Sequence, residues 1–453
     1  MLTEAKNRLL TQVGPGTPMG DLLRRYWMPV AGVSQFDDAN PIRTIRLLGE
    51  DLVLYRDLDG RFGLVDRHCA HRGADMAYGM VEKGGIRCSY HGWKYGPTGE
   101  CVEQPFEDTA LADRPKRRRP GMTGYPVEVK AGLVWVYMGP QPAPLVPDWE
   151  QFSWENGFAQ IVISEIPCNW FQCQENSIDP VHFEWMHDNW GARMRDPAAP
   201  DAPRHLKLNF EEFEYGFVYK RIREDTSEAD TAWTVGRVCL WPNAFFLGAH
   251  FEWRVPVDDE NTLSVTWHFT HVPKEREPYR QESIPTWIGP THDENGRWIT
   301  SHVMNQDFIG WVGQGRIADR TKEHLGISDK GIVMVRNRFF EELDAVAAGA
   351  EPKGLIRDPA RNVRVELPNV RRKLVKEGLT MAEILANPVH KQALFSYVLQ
   401  AGQPEWVKRQ FSEAMGVPAQ DYRGPIRGRQ FIDPPSQPAP PSGTSTQNFG
   451  THL

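Results

Sequence analysis

Two short stretches, Cys69-Ala-His71-Arg-Gly73 and Cys88-Ser-Tyr-His91-Gly92-Trp93, decide how the rest of the chain is interpreted. Each stretch offers one cysteine and one histidine, in the spacing C-x-H-x16-C-x2-H. Glycine permits the tight turns that bring backbone close to a bound group, and glycines stand at positions 73, 84, 85 and 92. The two stretches therefore predict a pair of loops that present four ligands to one inorganic centre.

Two kinds of centre fit this ligand set. A [2Fe–2S] cluster takes four protein ligands, and two histidines can replace two cysteines on one of its irons, which raises the reduction potential. A structural zinc ion also accepts two cysteines and two histidines. Zinc sites usually pair cysteine with cysteine and histidine with histidine, whereas each loop here supplies one of each. The spacing favours the cluster and leaves zinc open.

A second set of ligands lies in the segment from Asn176 to His187, which contains Asp179-Pro-Val-His182. Mononuclear iron(II) that activates O2 is commonly bound by two histidines and one carboxylate. Since an ideal α-helix does not put residues five apart on one face, we expect a bend or π-type bulge between His182 and His187. The alternative is that the histidines are satisfied core residues and Asp179 is a plain helix N-cap before Pro180.

The carboxylate ligand must come from elsewhere in the chain. Acidic residues are more often solvated helix residues than ligands, so residue type alone does not choose among them. The downstream candidates are Asp307, Asp319, Glu323 and Asp329.

The first motif closely resembles the Rieske ferredoxin domain, including the aromatic residues Tyr90 and Trp93. The order of this motif followed by D-x2-H-x4-H resembles the oxygenase (alpha) subunits of Rieske non-haem iron oxygenases. The resemblance extends over nearly the whole chain and is nearest to the phthalate dioxygenase-like branch. Further segments that carry it are Gly14–Gly20, Asn305–Trp311, Gln314–Arg320 and Leu325–Asp329.

The resemblance implies an α+β fold, with an N-terminal all-β Rieske domain and a catalytic domain of helix-grip type, in which helices cover a curved antiparallel sheet. It implies that a [2Fe–2S] cluster is bound by Cys69, His71, Cys88 and His91. It also implies a mononuclear Fe(II) bound by His182, His187 and Asp307, because the Gln-Asp position supplies the carboxylate in this branch.

The same resemblance implies an assembly, either a homotrimer or a hexamer of stacked trimers. In the family, electrons pass from the cluster of one subunit to the iron of its neighbour. An aspartate links the two centres, which here implies Asp179 between His91 and His182. Asn176 matches a family position near the iron.

Composition changes along the chain predict its domains. Two short helices are expected in residues 1–25, a Rieske domain of short antiparallel strands in 26–140, and an iron-binding domain in 150–430. Alternating runs at 206–221, 231–246 and 251–272 predict a twisted antiparallel sheet. Residues 433–453 are crowded with proline, serine, threonine and glycine, which predicts a disordered tail.

The composition excludes several classes of partner. The chain has 453 residues and a net charge of −7, with acidic and basic residues mixed, so we expect neither nucleic acid nor a membrane as partner. No apolar run approaches the ~20 residues of a membrane span, and the N-terminus lacks a signal peptide's apolar core. A cytoplasmic location is expected, where cysteines serve as ligands or buried thiols.

The expected function is oxidation of a small aromatic acid with O2. The electrons are expected to come from a separate NAD(P)H-dependent reductase, with or without a ferredoxin. A separate reductase is needed because the chain lacks a GxGxxG-type fingerprint at a strand–helix junction. O-demethylation of a methoxylated, lignin-derived aromatic acid is favoured over cis-dihydroxylation of a phthalate-like carboxylate. A carboxylate substrate calls for a basic side chain, and the candidates are Arg204, Arg221, Arg237 and Arg254.

Two other classes of function remain open at this point. A Rieske electron carrier without oxygenase activity would need only the first domain, so the length of the chain argues against it. A zinc-stabilised binding protein would have no redox role, and it would be colourless.

Overall fold

The computed structural model describes residues 1–112, 118–369, 377–392 and 402–417. The predicted tail at 433–453 lies outside these ranges. Besides a π-helix, Phe183–Trp190, the described residues form α-helices, which are α1 Glu4–Thr11, α2 Pro18–Leu23, α3 Pro105–Ala110, α4 Trp170–Asn176, α5 Gly191–Arg195, α6 Thr231–Thr234, α7 Val303–Val312, α8 Lys330–Ala347, α9 Met381–Ala386, α10 Pro388–Gln392 and α11 Glu405–Met415. None of these helices is long and apolar enough to cross a bilayer.

The N-terminal part contains the two expected helices, α1 and α2, followed by three antiparallel sheets. The side chain of Thr17 caps α2 by accepting a hydrogen bond from the Gly20 N–H, and Pro18 occupies the first turn. The sheets have the strand orders β1-β11-β10, β2-β3-β4-β9 and β5-β6-β7-β8. Their strands are β1 Met28–Gly32, β2 Ile42–Leu47, β3 Glu50–Arg56, β4 Phe62–Asp66, β5 Met80–Glu82, β6 Gly85–Arg87, β7 Lys94–Tyr95, β8 Cys101–Glu103, β9 Gly124–Tyr125, β10 Val127–Lys130 and β11 Leu133–Val136.

The C-terminal part is built on one 8-stranded sheet of order β13-β14-β15-β16-β17-β18-β12-β19. Every pairing is antiparallel except β12 with β19, so the sheet is mixed at one edge. The α+β expectation is confirmed with that addition. The strands are β12 Gly157–Ile166, β13 His205–Phe213, β14 Gly216–Arg223, β15 Arg237–Leu240, β16 Ala244–Phe246, β17 His250–Pro256, β18 Thr262–His271 and β19 Thr286–Ile288.

The expectation of a strand from position 231 was wrong. Thr231–Thr234 form the short helix α6, because the Asp230 carbonyl accepts hydrogen bonds from the backbone N–H groups of Trp233 and Thr234. The chain then turns through Gly236, at φ 87°, before β15 begins.

The large sheet has two chemically different faces, because successive side chains of a strand point to opposite sides. The outer face is apolar and packs on the N-terminal strands. Trp253 of β17 meets Trp135 of β11 with ring centroids 5.1 Å apart, and the Trp267 Nε1–H donates to the Ala131 carbonyl. The two parts of the chain therefore share one core.

The inner face of the sheet is polar yet buried, and the helices cover it. Cys239 of β15 contacts Gln174 of α4, and the Arg254 guanidinium lies 5.1 Å from the ring centroid of Trp311 in α7. This face therefore packs against the helices that carry the residues of the candidate iron site. Its buried polar residues in β17 and β18 are His250, Glu252, Arg254, Thr262, Ser264, Thr266, His268 and Thr270.

A buried ion network joins the helices to each other. Glu175 of α4 accepts hydrogen bonds from Arg320 at 2.6 Å and from Arg336 of α8 at 2.6 Å. Arg336 also donates to Glu323 at 2.8 Å. Burial raises the pKa of Glu175, but the two arginines outweigh burial and hold it below its usual value, so the carboxylate is charged.

Removing the charge of Glu175 should destabilise the protein strongly. Glu175→Gln leaves the buried Arg320 without an anion and leaves Arg336 with Glu323 alone. Breaking a buried pair in this way costs about 3–5 kcal/mol. The folded pKa of Glu175 lies below the unfolded value, so its stabilisation is present above the unfolded pKa and is lost as the pH falls through the folded pKa. Denaturant unfolding at pH 7 and at pH 4 measures both effects.

Glu4→Gln is the matched control. Glu4 pairs with Arg8 on exposed α1, with 78% of the Glu4 side chain exposed, so its loss should not change stability measurably. Equal unfolding free energies for Glu175→Gln and the unmodified protein would contradict the role given to the network.

Candidate metal centres

The two Cys-His loops of the N-terminal part close in the same way. The Gly73 N–H donates to the Cys69 carbonyl at 2.9 Å, and the Gly92 N–H donates to the Cys88 carbonyl at 3.1 Å. Both glycines have positive φ, 70° and 74°, so a side chain there would strain the turn. Each loop therefore holds its cysteine at the base and its histidine near the tip.

The four side chains of the loops converge. Cys69 and Cys88 are buried, His91 is exposed, and the ring centroids of His71 and His91 lie 4.6 Å apart. Trp93 stacks on His71 with centroids 4.4 Å apart and an interplanar angle of 6°. Stacking on one side fixes the ring of His71 and leaves its nitrogens to a bound group.

The chemistry of these donors fits a bound metal. Burial, together with the neighbouring Cys69 thiol, raises the pKa of Cys88, so its thiolate is stable only when a metal ion binds it. The Cys69 Sγ lies 3.1 Å from the Tyr95 hydroxyl, a donor suited to a metal-bound sulfur. The buried Nδ1 atom of His71 has no hydrogen-bond partner in the described part of the chain.

The spread of these ligand atoms separates the cluster from zinc. Four ligands of a tetrahedral zinc ion lie within about 4 Å of each other, since Zn–S is ~2.3 Å and Zn–N ~2.0 Å. Among the described residues, only His182, His187 and Asp307 bring three metal-binding atoms within 4.8 Å of one another. The loop ligands are spaced more widely, as a two-iron cluster requires.

The second centre is formed where the helix after Asp179 changes its hydrogen bonding. The expected π-type irregularity between His182 and His187 is confirmed, because Phe183–Trp190 form a π-helix. A π-helix bonds residues five apart, so it places both histidines on one side. Their Nε2 atoms lie 3.6 Å and 3.3 Å from the Oδ1 atom of Asp307 in α7.

Amide groups hold this centre in place. Because Gln306 donates its Nε2–H to the Thr300 carbonyl at 2.9 Å, its Oε1 atom is left to accept from His187 Nδ1 at 2.9 Å. His187 Nδ1 then carries the proton, and Nε2 presents its lone pair to the centre. Asn176 donates to Asp307 Oδ1 at 3.1 Å.

The carboxylate of Asp307 is charged in this environment. Burial raises the pKa of Asp307, but His187 and His182 outweigh burial and hold it below its usual value. Among the described residues, the buried Nε2 atom of His187 has no hydrogen-bond partner of good geometry, although Asp307 lies near it. Two imidazole nitrogens and a carboxylate oxygen that can still donate lone pairs to a metal fit a divalent iron.

Asp179 caps the local backbone and also lies beside His182. Its Oδ1 atom accepts from the Val181 N–H at 2.8 Å, which is a local cap, while Oδ2 lies 3.6 Å from His182 Nδ1. The Asp179 side chain is 27% exposed, so it can contact His182 on one side and a further group on the other.

The structure brings only one of the four candidate carboxylates, Asp307, to the histidines. The others have different partners: Asp319 pairs with Lys322, Glu323 with Arg336, and Asp329 with the Gly326 N–H.

Sequence reasoning did not find every residue near the centre. Gln306 was not identified, although it directly precedes Asp307. Of the four candidate arginines, Arg204 is exposed and paired with Glu224, and Arg254 is paired with Glu252. Arg221 and Arg237 face Phe183. Because side chains alternate between the two faces of a strand, Arg221 lies on the same face of the sheet as Tyr219, and this alternation could have been used to place it.

Comparisons with known proteins cover both parts of the chain. A family model described as the Rieske [2Fe-2S] domain matches residues 26–119, and one described as a LigXa C-terminal domain matches residues 294–367. The chain is 56% identical over 425 residues to the 5,5'-dehydrodivanillate O-demethylase oxygenase subunit of Sphingobium sp. strain SYK-6, covering 94% of this chain and 99% of that protein. It is 32% identical to the phthalate 4,5-dioxygenase oxygenase subunit of Pseudomonas putida, covering 78% and 89%.

A solved structure agrees in fold. The NdmA QL mutant of Pseudomonas putida CBB5, crystallised with caffeine, has a TM-score of 0.53 at 19% identity, covering 74% of this chain and 96% of that one. The degree of identity to the curated relatives shows that this chain is an oxygenase subunit of the Rieske non-haem iron oxygenases, in the phthalate dioxygenase-like branch, with a Rieske [2Fe–2S] cluster and a mononuclear iron as its cofactors.

Proposed function

We propose that this oxygenase demethylates a methoxylated aromatic acid of the vanillate type, with 5,5'-dehydrodivanillate as the first compound to test. The observation that carries the proposal is a difference in identity. The chain is 56% identical to a dehydrodivanillate O-demethylase subunit over nearly all of both chains, against 32% for a ring dioxygenase subunit. Ring cis-dihydroxylation of a phthalate-like acid is the second candidate, supported by the latter relative.

The reaction balances with two external electrons. The aryl methyl ether, O2, two electrons and two protons give the phenol, formaldehyde and water. One oxygen atom enters the methyl carbon, whose bond to the phenolic oxygen then breaks, and the other leaves as water. The two electrons come from NAD(P)H through a separate reductase, with or without a ferredoxin.

Each cofactor is assigned to the residues that fit it. Cys69, His71, Cys88 and His91 hold the cluster, and His182, His187 and Asp307 hold the iron. When bound, the cluster stores and supplies an electron, and the iron supplies another and binds O2. Gln306 keeps His187 in the tautomer that presents Nε2, and Asn176 fixes the orientation of the Asp307 carboxylate.

Asp179 is assigned to the link between centres of neighbouring subunits. Asp179 and His182 line a cavity of about 530 Å³. His91 is exposed at the tip of its loop, where a neighbouring chain can reach it. A homotrimer, alone or stacked as a hexamer, would place one chain's His91 beside the next chain's Asp179.

Asp307→Ala should remove the mononuclear iron and leave the cluster intact. Iron should fall from about three to about two atoms per chain, while sulfide stays at about two and the visible spectrum is unchanged. Asp319→Ala is the matched control, since Asp319 pairs with the exposed Lys322. Retention of all the iron by Asp307→Ala would exclude Asp307 as a ligand.

Turnover should release formaldehyde. The purified oxygenase with a surrogate reductase should convert 5,5'-dehydrodivanillate with one formaldehyde released for each O2 consumed. Formaldehyde is assayed directly, and products are identified by mass spectrometry. A diol formed from phthalate, without formaldehyde from any methoxylated acid, would favour the second candidate.

Asp179→Asn should slow electron arrival at the iron without loss of metal. Removing a residue that orients a metal-bound histidine typically costs about 10–100-fold in activity. Iron content and spectrum should be unchanged, while the rate at which the reduced cluster reoxidises with substrate and O2 falls. Asp319→Asn, in an acid that lines the same cavity, should leave this rate unchanged. An unaltered rate in Asp179→Asn would remove Asp179 from the path.

A further inference from the structure

Two arginines lie side by side on the inner face of the sheet, beside the candidate iron ligands. Arg221 belongs to β14 and Arg237 to β15. Arg237 is paired in register with Tyr219, two residues before Arg221, so the three side chains share one face.

Phe183 connects this pair to the candidate iron centre. Its ring centroid lies 4.3 Å from that of His182 and 5.1 Å from that of His187. The guanidinium carbons of Arg237 and Arg221 lie 4.4 Å and 5.1 Å from the same ring centroid. One aromatic side chain therefore separates two positive charges from the ligands of the iron.

The pair has no carboxylate beside it in the part of the chain that the structure describes. Within the described ranges, no carboxylate lies within 4.0 Å of either guanidinium, and the buried Nη1 atom of Arg237 has no hydrogen-bond partner. The nearby arginines differ in this respect, since Arg254 pairs with Glu252 and Arg223 with Asp188. Burial, and then repulsion from Arg237, lowers the pKa of Arg221 to about 9. Two adjacent guanidinium groups with no carboxylate beside them among the described residues suit an anionic ligand.

Arg221 is held in position from the other side by the π-helix. Glu184 accepts a hydrogen bond from His205 Nδ1 at 2.7 Å, and both side chains are 6% exposed. His205 Nδ1 therefore carries the proton, and Nε2 is left to accept from Arg221 Nη1 at 3.3 Å.

The residues around Phe183 are not fully enclosed. His182, Phe183, His187 and Arg221 each keep part of their surface exposed, whereas Arg237 is buried. A ligand that reaches Phe183 from the exposed side would have the arginines on one side and the iron ligands on the other.

We propose that Arg221 and Arg237 bind the carboxylate of the aromatic acid, and that Glu184 and His205 are positioning residues for Arg221. The ligand class is an aromatic carboxylate, because two guanidinium groups match a carboxylate and bind its charge more strongly than the carbonyl of a neutral amide. The identity of the acid rests on the proposed function. The inference adds the residues that would orient the substrate.

The test compares an acid with its amide. Anaerobic calorimetry on the holoenzyme would measure binding of 5,5'-dehydrodivanillate and of its dicarboxamide, which has a similar shape and no charge. Hydrogen bonds to a charged group are worth about 1.5–3 kcal/mol, so the acid should bind between about 10- and 150-fold more tightly. Arg237→Gln should remove most of this preference and leave amide binding unchanged.

The positioning role has its own variants. His205→Phe removes the acceptor for Arg221 and should lower the preference for the acid, with iron content unchanged. His205→Gln restores an acceptor oxygen and should recover part of the preference. A purely structural role would instead change acid and amide binding alike. Arg204→Gln, in an exposed arginine paired with Glu224, is the control and should have no effect.

The outcomes separate this inference from the proposed function. Equal binding of acid and amide by the unmodified enzyme would overturn the carboxylate site, even if formaldehyde is produced, and this comparison needs no variant to fold. An arginine-dependent preference for the acid, without formaldehyde from any methoxylated acid, would support the carboxylate site and overturn demethylation.

Discussion

The change from α-helical to π-helical hydrogen bonding after His182 is the constraint on which the catalytic end of the molecule depends. It brings His187 to the same side as His182, although five positions separate them. It also directs the two residues that follow His182 into the same region. Phe183 packs beside both histidines, and Glu184 reaches His205. One backbone irregularity thus positions the two candidate iron ligands, the aromatic ring of Phe183 beside them, and the contact of Glu184 with the sheet.

The large sheet is compatible with this arrangement because one of its faces is apolar and the other is polar. Apolar side chains such as Trp253 and Trp267 fill the outer face and supply much of the buried apolar surface. The inner face can then hold charged and polar groups, provided that they find partners. Glu252 with Arg254 satisfies this condition as an ion pair, whereas Arg221 and Arg237 have no carboxylate partner among the described residues.

The sequence predicted what is local and missed what depends on long-range packing. The loops around Cys69 and Cys88 could be assigned because each supplies its ligands within a few residues. The π-helix followed from the spacing of two histidines. Asp307 could be named only through a resemblance, since nothing in its neighbourhood distinguishes it from Asp319. Which of the four arginines lie near the iron ligands could not be predicted before the strand register was known. The strand predicted from position 231 was wrong because a local turn at Asp230 outweighed the alternation of polar and apolar residues.

The shared core between the outer face of the large sheet and strand β11 has a mechanical consequence. Trp135 and Trp253 pack edge to face across it, and buried residues of both parts belong to one continuous cluster. The Cys-His loops pack in a second cluster, on Val53, Tyr55 and Val65 of the strands that lie next to this core. Close packing on both sides of these strands opposes rotation of one part of the chain against the other. The distance between the Cys-His loops and the iron-binding helices of one chain is therefore set when the protein folds.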